Sequence, residues 1–146
     1  MEPYTLKKTA KDSAYFTVNW SPLNKVDIHD IHRTVPAMPG IYELYYLDEK
    51  KSLNLFLLAK AWYGGLRGSI REKADPELEK NPNRIKILND RTCLYRFTII
   101  KSSADIDDVF FFFARTYYPD KTDVDDSGRY SYIYVNEATN DKIISR

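Results

Sequence analysis

Two arginines, Arg67 and Arg71, flank a glycine-bearing loop over residues 61–68, just ahead of a segment that reads as helical over 69–74. A loop of this kind, opening a helix, can offer backbone N–H groups and the positive end of the helix dipole to a phosphate. Lys73 and Arg84 lie in the same stretch. Residues 60–101 hold ten Lys or Arg against five acids, a local excess of +5 in a chain whose net charge is only +1. Such a patch is the footprint of a phosphate- or nucleic-acid-binding face. Residues 102–128 hold seven Asp against Arg115 and Lys121, a balance of −5. The alternative expectation is that the two stretches neutralise each other or a neighbouring subunit.

Other constellations carry less. His29 and His32 stand three apart beside Asp27 and Asp30, but no third strong ligand accompanies them, so surface histidines are expected. Asp123-Val124-Asp125-Asp126-Ser127-Gly128 opens like a calcium loop. Its twelfth position is Tyr134, where a bidentate Glu is needed, so a solvated acidic turn is expected. No Ser-His-Asp, Cys-His, Walker or G-x-G-x-x-G arrangement appears. Cys93 is the only cysteine, which excludes an intramolecular disulfide and a cysteine metal cage and fits a reducing, cytoplasmic setting. No apolar run is long enough to span a membrane, and the first twelve residues lack the apolar core of a signal peptide.

The elements that must position these residues follow from patterning. With 146 residues, 43% hydrophobic and 29% charged, the chain is expected to form a single domain over 1–146. Residues 13–20 alternate as a strand, and 25–33 read as a short helix. Residues 41–47 and 53–59 predict an antiparallel hairpin. The contiguous Leu55-Phe56-Leu57-Leu58 predicts that its second strand is central and buried on both faces. Helices are expected over 69–74 and from Asp75-Pro76 to Lys80, with Asn81-Pro82-Asn83 as a breaker. Residues 91–101 predict a third strand. Ser102 or Ser103 then caps a helix whose Ile106, Val109, Phe110, Phe113, Ala114 and Tyr117 form one apolar stripe. Phe111 and Phe112 lie off that stripe and call for a second cover, expected from Tyr130, Tyr132 and Tyr134. A closing hairpin is predicted from 129–135 and 142–145 around Asn140-Asp141. The fold class expected is α+β: a small, mostly antiparallel sheet flanked by helices, with an added N-terminal strand and a C-terminal β-hairpin.

Met38-Pro39-Gly40-Ile41-Tyr42 opens one strand, and Trp62-Tyr63-Gly64-Gly65 follows its partner strand. Arg96-Phe97-Thr98-Ile99-Ile100 comes next, then a helix ending Tyr117-Tyr118-Pro119. Over residues 36–123 this order resembles the GIY-YIG nuclease domain. The resemblance implies two signatures on adjacent antiparallel strands, a following helix with an arginine, and a later helix with a metal-binding glutamate. It also implies that a motif tyrosine serves the general base, the arginine steadies the scissile phosphate, and one divalent cation stabilises the leaving group.

Tyr42 matches the first tyrosine. The second half admits two registers. Aligning Trp62-Tyr63-Gly64 places Ser69 in the arginine slot, whereas aligning Tyr63-Gly64-Gly65 makes Tyr63 the second tyrosine and Arg71 the arginine. The family spacing back from Pro119 lands on Phe110, so the glutamate is missing, and Asp107 and Asp108 are the nearest acids. The resemblance thus implies a catalytically degenerate member, with no cofactor, that binds DNA or RNA or another phosphate-bearing ligand through Arg67, Arg71, Lys73 and Arg84. One alternative is an active phosphodiesterase using Tyr42, Tyr63 and Arg71, with Mg or Mn held by Asp107 or Asp108. Another, from the twelve tyrosines, is a protein-interaction module or homodimer. The same aromatic surplus reads either as sheet packing or as an exposed stacking surface for bases.

Overall fold

A computed structural model of the chain describes residues 3–138. The element order is β1 (Thr5–Ala10), β2 (Ser13–Asn19), β3 (Asn24–Lys25), α1 (Ile31–Thr34), β4 (Gly40–Leu47), β5 (Leu53–Ala61), α2 (Gly65–Ala74), α3 (Pro82–Asp90), β6 (Cys93–Ile99), α4 (Ser103–Tyr117) and β7 (Tyr132–Ala138). The strands form two small sheets, one ordered β3-β6-β4-β5 and the other β1-β2-β7. Every pairing is antiparallel except that of β2 with β7. The architecture is the mixed, mostly antiparallel α+β class that the patterning predicts.

β4 is the pivot, because successive side chains on a strand point to opposite faces. Tyr42 and Leu44 enter a core with Leu66 and Ile70 of α2 and Tyr95 and Phe97 of β6. Ile41 enters a second core with Phe16 and Val18 of β2 and Ile106, Val109 and Phe113 of α4. The first six residues of β4 are buried. The contiguous apolar run of β5 is not central, contrary to expectation: β5 is the edge strand, and Leu55, Phe56 and Leu57 are only half-buried. Leu44 opposes Leu57 while Tyr45 opposes Leu55, so Phe56 is the extra residue of a bulge. A bulge bends an edge away from regular pairing.

Three further expectations are corrected. Residues 25–33 are not one helix; Asn24–Lys25 is a bridge-like strand on β6 and only Ile31–Thr34 is helical. His29 and His32 are exposed and share no helix. Residues 75–80 are a turn, and the supposed breaker starts a helix: the Asn81 side chain accepts from the amides of Asn83 and Arg84, and Pro82 sits at the first helical position. Of the expected closing hairpin, the first strand is present as β7, which starts at Tyr132 and runs parallel to β2. Its predicted return strand and the Asn140-Asp141 turn lie outside the described residues.

α4 forms as its stripe requires, with the Ser102 hydroxyl accepting from the Asp105 amide at 3.2 Å. The cover for its second side is in the opposite phase to the one expected. Ile133 and Val135 of β7 pack toward α4 together with Tyr130, while Tyr132 and Tyr134 point outward. The strand β1, which the sequence reading missed, pairs with β2 from Thr5↔Val18 to Ala10↔Ser13.

Candidate functional site

Gly40 has no room for a side chain: a Cβ there would lie 2.0 Å from the Thr98 carbonyl oxygen of β6. This close approach sets Ile41 and Tyr42 in register against β6. The Tyr42 side chain is fully buried, and its hydroxyl shares a hydrogen bond of 2.8 Å with Ser69 Oγ of α2. Burial pushes its pKa up to about 12, against a smaller downward pull from the Ser69 hydrogen bond and an upward push from Glu72. The phenol therefore stays protonated at neutral pH and is poorly suited to take a proton from water.

The α2 N-terminus does not present the anion cradle that its glycines suggest. Gly64 and Gly65 both take positive φ. The Leu66 amide donates to the Met38 carbonyl at 2.7 Å, and the Arg67 amide to the Pro36 carbonyl at 3.2 Å. Gly65 is required by that contact, since a Cβ would sit 2.8 Å from the backbone of Ala37 and Met38. Loop 36–38 thus occupies the donors that a phosphate would need. Arg67 reinforces it by donating from Nε to the Val35 carbonyl at 2.8 Å.

The other expected phosphate ligands divide. Lys73 and Arg84 converge on the buried Glu79, with Arg84 Nε 2.9 Å and Lys73 Nζ 3.9 Å from its carboxylate. Burial opposes the Glu79 charge. Hydrogen bonds from Arg84 and from the amides of Asn81 and Lys80 outweigh it and hold the carboxyl down at about 2. Two of the four cations are therefore engaged within the protein, on one shared carboxylate. Arg71 is exposed on α2 and makes no ion pair among the described residues.

What remains open is a cleft of ≈ 440 Å³ between the end of β5, α2 and the start of α4. Lys60, Trp62, Tyr63, Ser69, Ser103 and Asp107 line it. Tyr63 is 93% exposed and Trp62 44% exposed, which is unusual for large rings with a core available. Tyr42 and Tyr63 therefore do not converge on one open site: the first is sealed beneath Ser69 and the second stands in solvent.

The two aspartates also part. Asp107 pairs with Lys60 Nζ at 3.2 Å, and that ammonium lies 5.2 Å over the Phe110 ring. Asp108 is fully buried and accepts from the Ser127 amide at 2.7 Å, the Ser127 hydroxyl at 3.0 Å and Arg129 at 2.7 Å. Its bonds turn it toward the 127–129 loop. Among the described residues no group of three or more His, Cys, Asp or Glu is placed to hold a metal. The Lys60–Asp107 pair joins the basic and acidic stretches of the sequence, and it is the partial neutralisation anticipated as the alternative. Sequence reasoning missed Lys60 and Trp62 as site residues and Glu79 as the neutralising group. The position of Trp62 directly before Tyr63 was the available signal.

Over residues 5–146 the chain belongs to a family described only as an uncharacterised protein. No curated protein and no solved structure matches it. No helix among the described residues is long and apolar enough to cross a membrane.

Proposed function

We propose that the chain is a GIY-YIG-like domain that binds nucleic acid without cleaving it, at the cleft beside Trp62 and Tyr63. The observation that carries the reading is the exposure of these two adjacent rings next to Lys60 at the mouth of the cleft. Bases stack on exposed aromatic rings whatever their sequence, and a nearby cation meets the backbone. Arg71, exposed on α2 without an ion pair among the described residues but outside the cleft lining, offers a cation to backbone that runs beyond the cleft. The strand order supports the domain assignment, since β4 lies between β5 and β6, all antiparallel, with α2 following β5 and α4 following β6. The sealed, protonated Tyr42 and the ring of Phe110 under Lys60 favour binding over hydrolysis.

Trp62 provides its own assay, because the other tryptophan, Trp20, is buried. Titration with short single-stranded DNA or RNA at low salt is expected to quench Trp62 emission. The quench weakens as salt rises and vanishes in Trp62→Phe. No binding to single- or double-stranded substrates at low salt overturns the reading. Cleavage in Mg²⁺ or Mn²⁺ that is lost in Tyr42→Phe and Arg71→Ala overturns its non-catalytic part.

A further inference from the structure

The outer face of the β1-β2-β7 sheet takes no part in the cleft. Strand register sets its residues in three rows, Leu6–Thr17–Asn136, Lys8–Tyr15–Tyr134 and Ala10–Ser13–Tyr132. In the middle row the Tyr15 and Tyr134 rings stack, with centroids 5.1 Å apart and planes within 13°. Both remain about half exposed, at 46% and 49%, and Tyr132 is exposed to 56%. A ring that stacks on its neighbour and still faces water is not filling a core.

We propose that this face is a second nucleic-acid contact, on which unpaired bases of a single strand extend the Tyr15–Tyr134 stack. Three features select that occupant. Among the described residues the Tyr134 ring stands on the edge strand of the sheet, with Tyr15 on one side of it, so a planar base can continue the stack on the other. Lys8, directly opposite Tyr15, is the only charged residue in the three rows, and none of them carries a carboxylate. That balance suits a polyanion in a chain with 21 acidic residues. Thr17 and Asn136, paired in the adjoining row, offer neutral hydrogen-bonding groups to base edges. Leu6 and Ala10 are the only aliphatic side chains in the three rows. The proposal rests on these observations alone and does not require the cleft to bind.

The test uses the full chain carrying Trp62→Phe and Tyr63→Ala, which strips the cleft of its rings and leaves Trp20 as a reporter of folding. Anisotropy of fluorescein-labelled oligothymidylate at low salt is expected to reveal retained binding. Adding Tyr134→Ser or Lys8→Glu is expected to weaken it by about ten-fold, with Trp20 emission unchanged. Three results overturn the proposal. One is the absence of binding in the cleft-stripped chain, and another is binding indifferent to both added substitutions. The third is a different occupant, seen either as capture of a neutral β-glucan in place of the oligonucleotide or as a dimer that Tyr134→Ser dissolves. Wild-type protein that binds without quenching Trp62 removes the cleft reading and leaves this one standing.

Discussion

Glu43 and Arg96 face each other directly across β4 and β6, with Arg96 Nε 2.7 Å from Glu43 Oε1 and both side chains fully buried. Tyr45 donates to the same Glu43 oxygen at 2.6 Å, and Trp20 lies 4.3 Å from the guanidinium. Arg96 also reaches Glu137 of β7 at 3.3 Å, so one guanidinium ties the two sheets together. Glu137 in turn accepts from Trp20 Nε1 at 2.7 Å.

Removing one partner strands the other charge in the interior. Arg96→Leu is expected to lower stability by about 3–5 kcal/mol, measured by urea unfolding followed through Trp20 emission. Adding Glu43→Leu to that variant is expected to restore part of the loss. A double variant no more stable than Arg96→Leu alone contradicts the account.

Glu79 makes stability depend on acid. Its folded-state value of about 2 lies below the ordinary 4.5, so its stabilising contribution is fully present above pH 4.5. The contribution drains away as pH falls from 4.5 toward 2, because the unfolded chain binds the proton more readily. Glu79→Gln is expected to be less stable at neutral pH and to have a flatter profile across that window. Equal slopes in the two proteins assign the acid sensitivity elsewhere.

The glycines separate by the space around them. Gly40→Ala drives a Cβ into a backbone oxygen of the neighbouring strand and is expected to cost about 3 kcal/mol or more. Gly68 lies inside α2 with nothing within 4 Å of its would-be Cβ, so Gly68→Ala is expected to stabilise by about 0.5–1 kcal/mol. Thermal melts of the two variants should shift in opposite directions.

The cations of the basic stretch should likewise part company. Arg71→Ala and Tyr63→Ala are expected to weaken oligonucleotide binding without lowering the melting temperature. Arg84→Ala is expected to do the reverse, because its guanidinium serves the buried Glu79. Equal effects of Arg71→Ala and Arg84→Ala on affinity would contradict this division.

Long periodic segments were legible from the sequence. The α4 stripe with its Ser102 cap, the β4–β5 hairpin and β6 all follow from spacing and propensity. The failures came where a local signal has two physical uses. Asn-Pro-Asn both ends helices and starts them, and the tie is broken only by the Asn81 side chain turning forward onto the next two amides. The apolar run of β5 fits either a central strand or a bulged edge. The 132–135 segment alternates tyrosine with aliphatic residues, and which set turns inward depends on the register with β2, a strand more than a hundred residues earlier. In the candidate site the chain chemistry was visible but its accessibility was not. Tyr42 and Tyr63 look equivalent as letters, and only packing beneath Ser69 makes one of them a core residue.

The parallel union of β2 with β7 has a temporal consequence. Trp20 and Glu137, 117 residues apart, meet only when β7 docks. During synthesis the β1–β2 hairpin therefore emerges early and waits, with Ala14, Phe16 and Val18 lacking both α4 and β7 as cover. Assembly dominated by such distant contacts is slow. For as long as it lasts, the nascent N-terminal hairpin is the segment most in need of shielding by a chaperone.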